Sequence, residues 1–446
     1  MSTMRKQARS RGASFPSTPQ PSVRLWVGAR EVATCLGPPR WSPAADPADV
    51  RPGWAVAVAE GRVLAVGPEA ELRRRYPVAE AVECDGGVLL PGWVDSHTHA
   101  VFGRWRVEEF VLRTQGADYG EILRRGGGIL ASVADVRARS EDELMACARP
   151  RLLALLAWGT TTAEVKSGYG LRWEDERKLL RVIARLDAEL PLDLVPTFLG
   201  AHAVPSEFAD RPDAYVDLVV EEMLPAVAAE GLARFCDVFV EPGAFTPAQG
   251  RRVLEAARRW GLELKLHADE FVHSGGAELA AELGAISADH LGAVSDEGIA
   301  ALARAGVVAT LLPLTLFALG QRRYAPARAL LDAGVEVALA TDFNPGTAPC
   351  PAMPWVLAAA CAQMGMHPRE AIRAATAGGA AALGLGDGRG TLRPGAPADL
   401  VLWPVESVDA LPYHLGAVMP RAIWKRGARV APDWLSAFGP CPSLEG

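Results

Sequence analysis

Between Gly92 and Asp342 the chain repeats one pattern: a short apolar run, then a longer stretch of helical period. The runs are Gly92 to His97, Thr161 to Val165, Leu194 to His202, Asp237 to Glu241, Glu263 to His267, Ile286 to His290, Val307 to Leu312 and Val337 to Asp342. Strands that are each followed by a helix return parallel to one another, and their sheet is covered on its outer face. Eight such units predict an α/β chain folded as a (β/α)8 TIM-like barrel. In that fold the chemistry gathers at the C-terminal strand ends, where the loops converge.

Those ends carry the reactive residues. In Pro91-Gly92-Trp93-Val94-Asp95-Ser96-His97-Thr98-His99 the two histidines stand one residue apart, so at a strand end both imidazoles face the same side. His202, His267 and His290 each close another run, and Asp342 closes the last. Imidazole and carboxylate are the usual ligands of catalytic zinc or iron. A divalent ion held by His97, His99, His267 and Asp342 would bring the pKa of its water toward ~7, which predicts hydrolysis. Glu270, three residues past His267, is placed to act as general base. His290 either manages a proton or serves as a further metal histidine, and His202 either contacts substrate or packs. His273, His367 and His414 lie off the strand ends and are expected to be structural or superficial. Lys166 ends the second unit, where a carbamylated lysine would bridge two ions, so a binuclear centre stands as the alternative to a single one.

Flanking segments have a different texture. From Val23 to about Leu90, and again after Gly390, short strand-like runs such as Trp54-Ala55-Val56-Ala57-Val58 and Ala398-Asp399-Leu400-Val401-Leu402-Trp403 alternate with Gly, Pro and Asp. The expected organisation is a basic, disordered tail over 1–21, a small β-sandwich domain built from 22–90 and 389–446, and the barrel over 91–388. With 446 residues, half of them hydrophobic, there is enough chain for a large core and a smaller companion domain. The net charge of −7 and the lack of a Lys/Arg block in the body argue against a nucleic-acid partner. Seven scattered cysteines, never spaced Cys-x-x-Cys, predict reduced thiols and a cytoplasmic location. No apolar run reaches the ~18 residues of a membrane span. Neither a phosphate-binding glycine loop nor a Gly-x-Ser-x-Gly elbow occurs. After His99 come Arg104, Arg106, Arg113 and Tyr119, then Gly126-Gly127-Gly128, and one of these arginines is expected to grip an acidic substrate.

Taken together, the Pro91-to-His99 run, the Asp342 strand end and the split β unit resemble the metal-dependent amidohydrolase superfamily. Within it, His97-Thr98-His99-Ala100-Val101-Phe102-Gly103, Arg113-Thr114-Gln115-Gly116-Ala117-Asp118-Tyr119, Glu164-Val165-Lys166-Ser167-Gly168-Tyr169-Gly170, His267-Ala268-Asp269-Glu270-Phe271 and Thr341-Asp342-Phe343-Asn344-Pro345-Gly346 are similar to segments of the imidazolonepropionase family. The resemblance runs from about Val23 to beyond Gly427. It implies hydrolytic ring opening of 4-imidazolone-5-propanoate to N-formimidoyl-L-glutamate in histidine degradation, one zinc or iron ion per subunit, and a homodimer acting on a small molecule. It also implies that His97, His99, His267 and Asp342 are metal ligands, and that Glu270, His290 and Asp342 are catalytic. Arg106, Tyr119, Tyr169, His202, Glu270, Asn344, Gly346 and Thr347 would contact substrate, and Lys166 would bridge no metals. Trp93, Ser96 and Trp105 depart from the family pattern, and Trp105 is the one placed to alter the pocket. The rival readings are another amidohydrolase acting on a cyclic amide, ureide or nucleobase-like ring, and an inactive barrel used as a binding protein.

Overall fold

The computed structural model describes residues 22–117 and 127–431. The basic tail, Tyr119 and the last fifteen residues of the chain lie outside the described residues. The N-terminal segment forms β1 (Arg24–Val27), β2 (Glu31–Ala33), β3 (Val50–Pro52), β4 (Trp54–Ala59), β5 (Arg62–Pro68), β6 (Glu80–Glu83) and β7 (Val88–Pro91). One sheet has the order β5-β4-β1-β6. The other takes β3, β2 and β7 and completes itself with three strands from the far end of the chain, β16 (Leu400–Trp403), β17 (Ala422–Lys425) and β18 (Ala428–Val430). Trp26, Val56 and Val63 from the first sheet pack with Val32, Leu89, Leu400 and Trp424 from the second. Two sheets closing on one apolar layer make a sandwich, and each large aliphatic side chain buried there contributes about 1.5–3 kcal/mol. The short runs are not all antiparallel as their texture suggests: β1 runs parallel to β6, and β2 parallel to β7. A long connection leaves the direction open, as the antiparallel β7–β16 pair also shows, whereas a tight hairpin such as β4–β5 imposes antiparallel pairing.

The middle of the chain supplies β8 (Trp93–Asp95), β9 (Thr160–Lys166), β10 (Asp193–Ala201), β11 (Phe235–Val240), β12 (Glu263–Ala268), β13 (Ser287–His290), β14 (Val308–Leu311) and β15 (Val337–Leu339). They pair in sequence order, all parallel. Helices fill the intervals, several of them set by local caps. Ser140 and Glu143 form a capping box before the helix Glu141–Ala157, and Thr246 and Gln249 do the same before Pro247–Arg259.

The ring closes where β15 returns to β8. Thr98 bridges Phe343, the His99 N–H donates to the Phe343 carbonyl at 2.9 Å, and the Asp342 N–H donates to the His97 carbonyl at 3.0 Å. Asp95 locks the same junction, its carboxylate accepting from the Thr341 N–H at 3.0 Å and the Thr341 hydroxyl at 2.6 Å. This closure brings His97 and His99 beside Asp342, more than two hundred residues away in sequence.

Among the described residues, Cys35, Cys84, Cys236, Cys350 and Cys361 are free thiols.

Candidate active site

The candidate histidines, Lys166, Glu270 and Asp342 sit at, or just beyond, the C-terminal ends of barrel strands. His97 and His99 follow β8, Lys166 ends β9, His202 follows β10, His267 and Glu270 flank the end of β12, His290 ends β13 and Asp342 follows β15. Asp269, His290, Leu291 and Asp342 all adopt positive φ, which costs a residue with a Cβ about 1–3 kcal/mol and persists only where neighbours enforce it.

His97, His99 and Asp342 form one compact cluster, and His97, His267 and His290 form another that shares His97. His97 Nε2 lies 3.3 Å from His99 Nε2, and each is 3.6 Å from Asp342 Oδ1. Ligands ~2.1 Å from a tetrahedral centre stand roughly 3.4 Å apart, so this spacing fits one small divalent ion. The tautomer agrees with it. His97 Nδ1 donates to Asp289 Oδ2 at 2.6 Å, which leaves Nε2 as a bare lone pair facing the cluster. Burial, reinforced by the nearby Lys166 ammonium and neighbouring imidazoles, holds His97 and His267 well below the usual histidine range. Burial does the same for His99, with His202 and His267 adding to it. Neutral imidazole is the ligating form. His267 Nε2 is buried with no hydrogen-bond partner. His267 Nδ1 lies 2.9 Å from Asp237 Oδ2, though off the angle of a good hydrogen bond. Such desolvated nitrogens suit a metal better than an empty cavity.

Asp342 offers one oxygen to this cluster. Its other oxygen accepts from the Thr315 hydroxyl at 2.5 Å, and Asn344 Nδ2 donates to its carbonyl at 2.7 Å. Burial pushes the Asp342 carboxyl up to about 7 despite both hydrogen bonds. Burial also raises Glu270 well above the ordinary glutamate range, with the Asp342 and Glu241 carboxylates adding to it. The Glu270 loop is held from beneath, because Glu241 accepts from the N–H groups of Glu270, Phe271 and Val272 at 3.0–3.1 Å. Glu270 Oε1 is 3.5 Å from His290 Nδ1, so the carboxylate partner of His290 comes from β12 rather than from the residues after it.

Beneath the imidazoles lies a fully buried bed of charge. Lys166 Nζ donates to Glu164 Oε1 at 2.9 Å and Asp237 Oδ2 at 2.7 Å, and stands 3.5 Å from Asp289. Lys265 Nζ donates to Glu164 Oε2 and to the Ser96 carbonyl, each at 2.9 Å. Burial alone would lower Lys166, but Asp237, Glu164 and Asp289 outweigh it and raise its pKa. Asp237 is pushed up by burial and by Asp289, yet it accepts from the ammonium at 2.7 Å, and that short contact favours the ionised pair. A protonated amine with these partners has no lone pair to form a carbamate, which disfavours a lysine-bridged pair of metals.

Next to His99 stand Tyr169 and Arg106. The Tyr169 ring lies 5.9 Å from that of His99 and 5.5 Å from that of His202, and the nearby Arg106 guanidinium partly offsets the rise that burial imposes on its hydroxyl. Arg106 Nη1 donates to Ser132 Oγ at 2.9 Å, and its Nε lies 3.2 Å from Glu109. Gly346 makes room for this guanidinium: a Cβ there would sit 1.7 Å from Arg106 Nη2. The loop carrying Tyr169 is fixed by Glu176, which accepts from the N–H groups of Gly168, Gly170 and Leu171 at 2.8–2.9 Å. His202 Nδ1 donates to the Gly168 carbonyl at 2.9 Å, and burial lowers its pKa to about 4, so its Nε2 is an acceptor. Asn344 spends its side chain on its own turn, accepting from the N–H groups of Gly346 and Thr347 at 2.8 Å each. His273, His367 and His414 stand apart from this group; His367 caps a helix and stacks on Trp41.

Sequence reasoning missed Asp237, Lys265, Asp289 and Thr315. Two of them carried a signal: Lys265 with His267, and Asp289 with Ser287, are charged or polar pairs at period two inside buried strands, as Glu164 and Lys166 are, so both members face the barrel interior.

Comparison with known proteins gives the family. Residues 88–427 match the model of the Amidohydrolase family, and residues 55–77 match an imidazolonepropionase-like composite domain of bacteria. The chain is similar to the imidazolonepropionase of Symbiobacterium thermophilum, 49% identical over 93% of this chain and 98% of that protein. It is similar also to that of Myxococcus xanthus, 50% identical over 89% and 94% respectively. Among solved structures it shares the fold of a zinc-bound adenosine deaminase from Xanthomonas campestris, with TM-score 0.69, 22% identity, and 94% and 97% of the two chains covered. It likewise shares the fold of a zinc complex of atrazine chlorohydrolase from Arthrobacter aurescens, with TM-score 0.64, 18% identity, and 92% and 95% covered. The deaminase and chlorohydrolase speak for the barrel alone, whereas identity near one half over nearly the whole chain places this protein in the imidazolonepropionase family of amidohydrolases.

Proposed function

We propose that the ring opening of 4-imidazolone-5-propanoate to N-formimidoyl-L-glutamate is carried out here by one ion, zinc or iron, held by His97, His99, His267 and Asp342, with Glu270 and His290 handling protons. The observation that carries this reading is the spacing of His97, His99 and Asp342, one aromatic ring away from the Arg106–Tyr169 pair. An ion there supplies Lewis-acid activation of water, bringing its pKa toward ~7. Arg106 grips the propanoate with Tyr169 beside it, which sets the imidazolone ring against the histidine cluster. His202 Nε2 accepts from a ring N–H. Glu270, raised by its burial, takes the proton of the attacking water, whose oxygen bonds to the ring carbonyl carbon. The amide C–N bond then breaks, and Glu270 passes that same proton, by way of His290 at 3.5 Å, to the departing nitrogen. Water has been added across one bond, and no oxidant is needed. Asn344 shapes the Gly346–Thr347 turn against the propanoate, and Tyr119, outside the described residues, belongs to the same proposed set.

The division into a β-sandwich of 22–90 and 389–446 around a catalytic barrel of 91–388, a homodimeric state and action in the cytoplasm belong to the same reading. No helix among the described residues is long and apolar enough to cross a membrane.

The test follows loss of imidazolone absorbance by purified protein, as isolated, after chelation, and after return of zinc or ferrous ion. Turnover should vanish with the chelator and return with one metal per chain. A metal-replete protein that leaves the substrate intact, or one that turns it over unchanged in chelator, overturns the reading.

A further inference from the structure

The segment after β14 has no part in the mechanism so far, yet it reaches into the site through one atom. The helix Pro313–Ala318 begins immediately past the strand end, and Thr315 on it is fully buried. Its hydroxyl donates to Asp342 Oδ2 at 2.5 Å, while Asp342 Oδ1 is the oxygen that lies 3.6 Å from both His97 Nε2 and His99 Nε2. The two carboxylate oxygens therefore have separate tasks. One faces the imidazoles and the other is engaged from the opposite side. The backbone of Asp342 is restrained as well, with its N–H donating to the His97 carbonyl, its carbonyl accepting from Asn344, and its φ at 53°. Those contacts fix the Cα, and the Asn344 amide also favours the ionised carboxylate, but the last torsion of aspartate is broad and two-fold. Only a partner on a carboxylate oxygen removes that freedom, and Thr315 is such a partner.

We propose that Thr315 is a positioning residue that makes Asp342 a one-oxygen metal ligand and prevents the carboxylate from turning to chelate the ion with both oxygens. The inference rests on the reading of Asp342 as a ligand. A one-oxygen carboxylate leaves a coordination position for water, which a catalytic site needs and a closed one lacks. Partners that orient ligands in this way typically set metal affinity or activity by roughly 10- to 100-fold when removed.

Thr315→Val keeps the shape and removes the donor, whereas Thr315→Ser keeps the donor and removes a methyl group. Each variant, with the parent and Asp342→Ala, is stripped of metal and titrated with cobalt(II), read by the visible ligand-field bands and by equilibrium dialysis. The expected result for Thr315→Val is a roughly 10- to 100-fold change in cobalt affinity and an altered band pattern, with kcat lowered more than KM is raised. Thr315→Ser should restore the parent spectrum and affinity. Circular dichroism and thermal melting of the stripped proteins separate this from misfolding, since the spectral change must appear in a folded Thr315→Val. If Asp342→Ala binds cobalt as the parent does, the ligand reading itself fails. If Asp342→Ala loses cobalt but folded Thr315→Val keeps the parent spectrum and affinity, or if Thr315→Ser behaves like Thr315→Val, the positioning role is overturned.

Discussion

Replacing Lys166 with Met probes the bed of charge on which the histidines rest. In the parent, two buried ammonium groups face three buried carboxylates. Removing Lys166 leaves Lys265 with Glu164 at 2.9 Å and Asp289 at 3.6 Å, and leaves Asp237 without a cationic partner. Taking one member from a buried ion pair typically costs about 3–5 kcal/mol, because the surviving charge stays desolvated. For a chain of this length the unfolding entropy is roughly 0.9 kcal/mol per kelvin, so the metal-free melting temperature should fall by about 3–5 °C. Asp237→Asn added to the same protein should recover much of that loss, since the stranded charge is then gone. The assay is calorimetry of chelated protein, with metal content measured separately on protein saturated with zinc. One ion per chain should remain in Lys166→Met at saturating zinc, because the lysine supports ligands rather than bridging two ions. A melting temperature within 1 °C of the parent, or a fall from two ions to one, would refute the argument.

The remaining predictions concern the substrate pocket and the acid side of stability. Arg106→Ala should lower kcat/KM by roughly 10- to 100-fold, mostly through KM, with zinc content unchanged. Gly346→Ala should reproduce the KM effect with the guanidinium still present, because the new methyl occupies the position of Arg106 Nη2; steady-state kinetics in which it matches the parent would sink the packing argument. Glu370 is raised by burial but lowered further by Arg328, at 3.0 Å to each oxygen, and by the N–H groups of Trp41 and His367. A carboxyl lowered on folding stabilises above pH ~4.5, its unfolded range, and that support disappears as pH falls through the folded value. Glu370→Gln should therefore cost about 1–3 kcal/mol at neutral pH and progressively less below pH ~4.5 in urea unfolding. A gap that stays constant down to pH 3 would show that the ion pair contributes nothing.

The barrel was legible because its eight runs are apolar and bounded by helical stretches, and five of them end in histidine or aspartate. Strand limits read from sequence fall within a few residues of those observed, as with Glu263–Ala268 against an expected Glu263 to His267. The gathering of His97 with His99 and Asp342, and of His97 with His267 and His290, was legible for the same reason, since strand ends of one ring must converge. What escaped was the support beneath it. Asp289 reads as the neighbour of His290, yet alternation turns it inward onto His97 while His290 faces Glu270. Thr315 gave no signal at all, because a threonine in an apolar helix start has no period or motif, and its partner is 27 residues away. The parallel pairing of β1 with β6 was hidden for a related reason: hairpin spacing is written in sequence, and the path of a long connection is not.

The junction between β15 and β8 has a further consequence. It is the one place where the ring of strands is joined by a single bridge and a few hydrogen bonds rather than by a full ladder. The proposed ligands straddle it, with His97 and His99 on one lip and Asp342 on the other. Any ion gripped by all three acts as a rivet across the thinnest part of the wall, so occupancy of the site and integrity of the barrel are one equilibrium. Stripping the rivet should let the wall part there first, at Thr98, His99 and Phe343, before the stave-like strands on the far side feel anything.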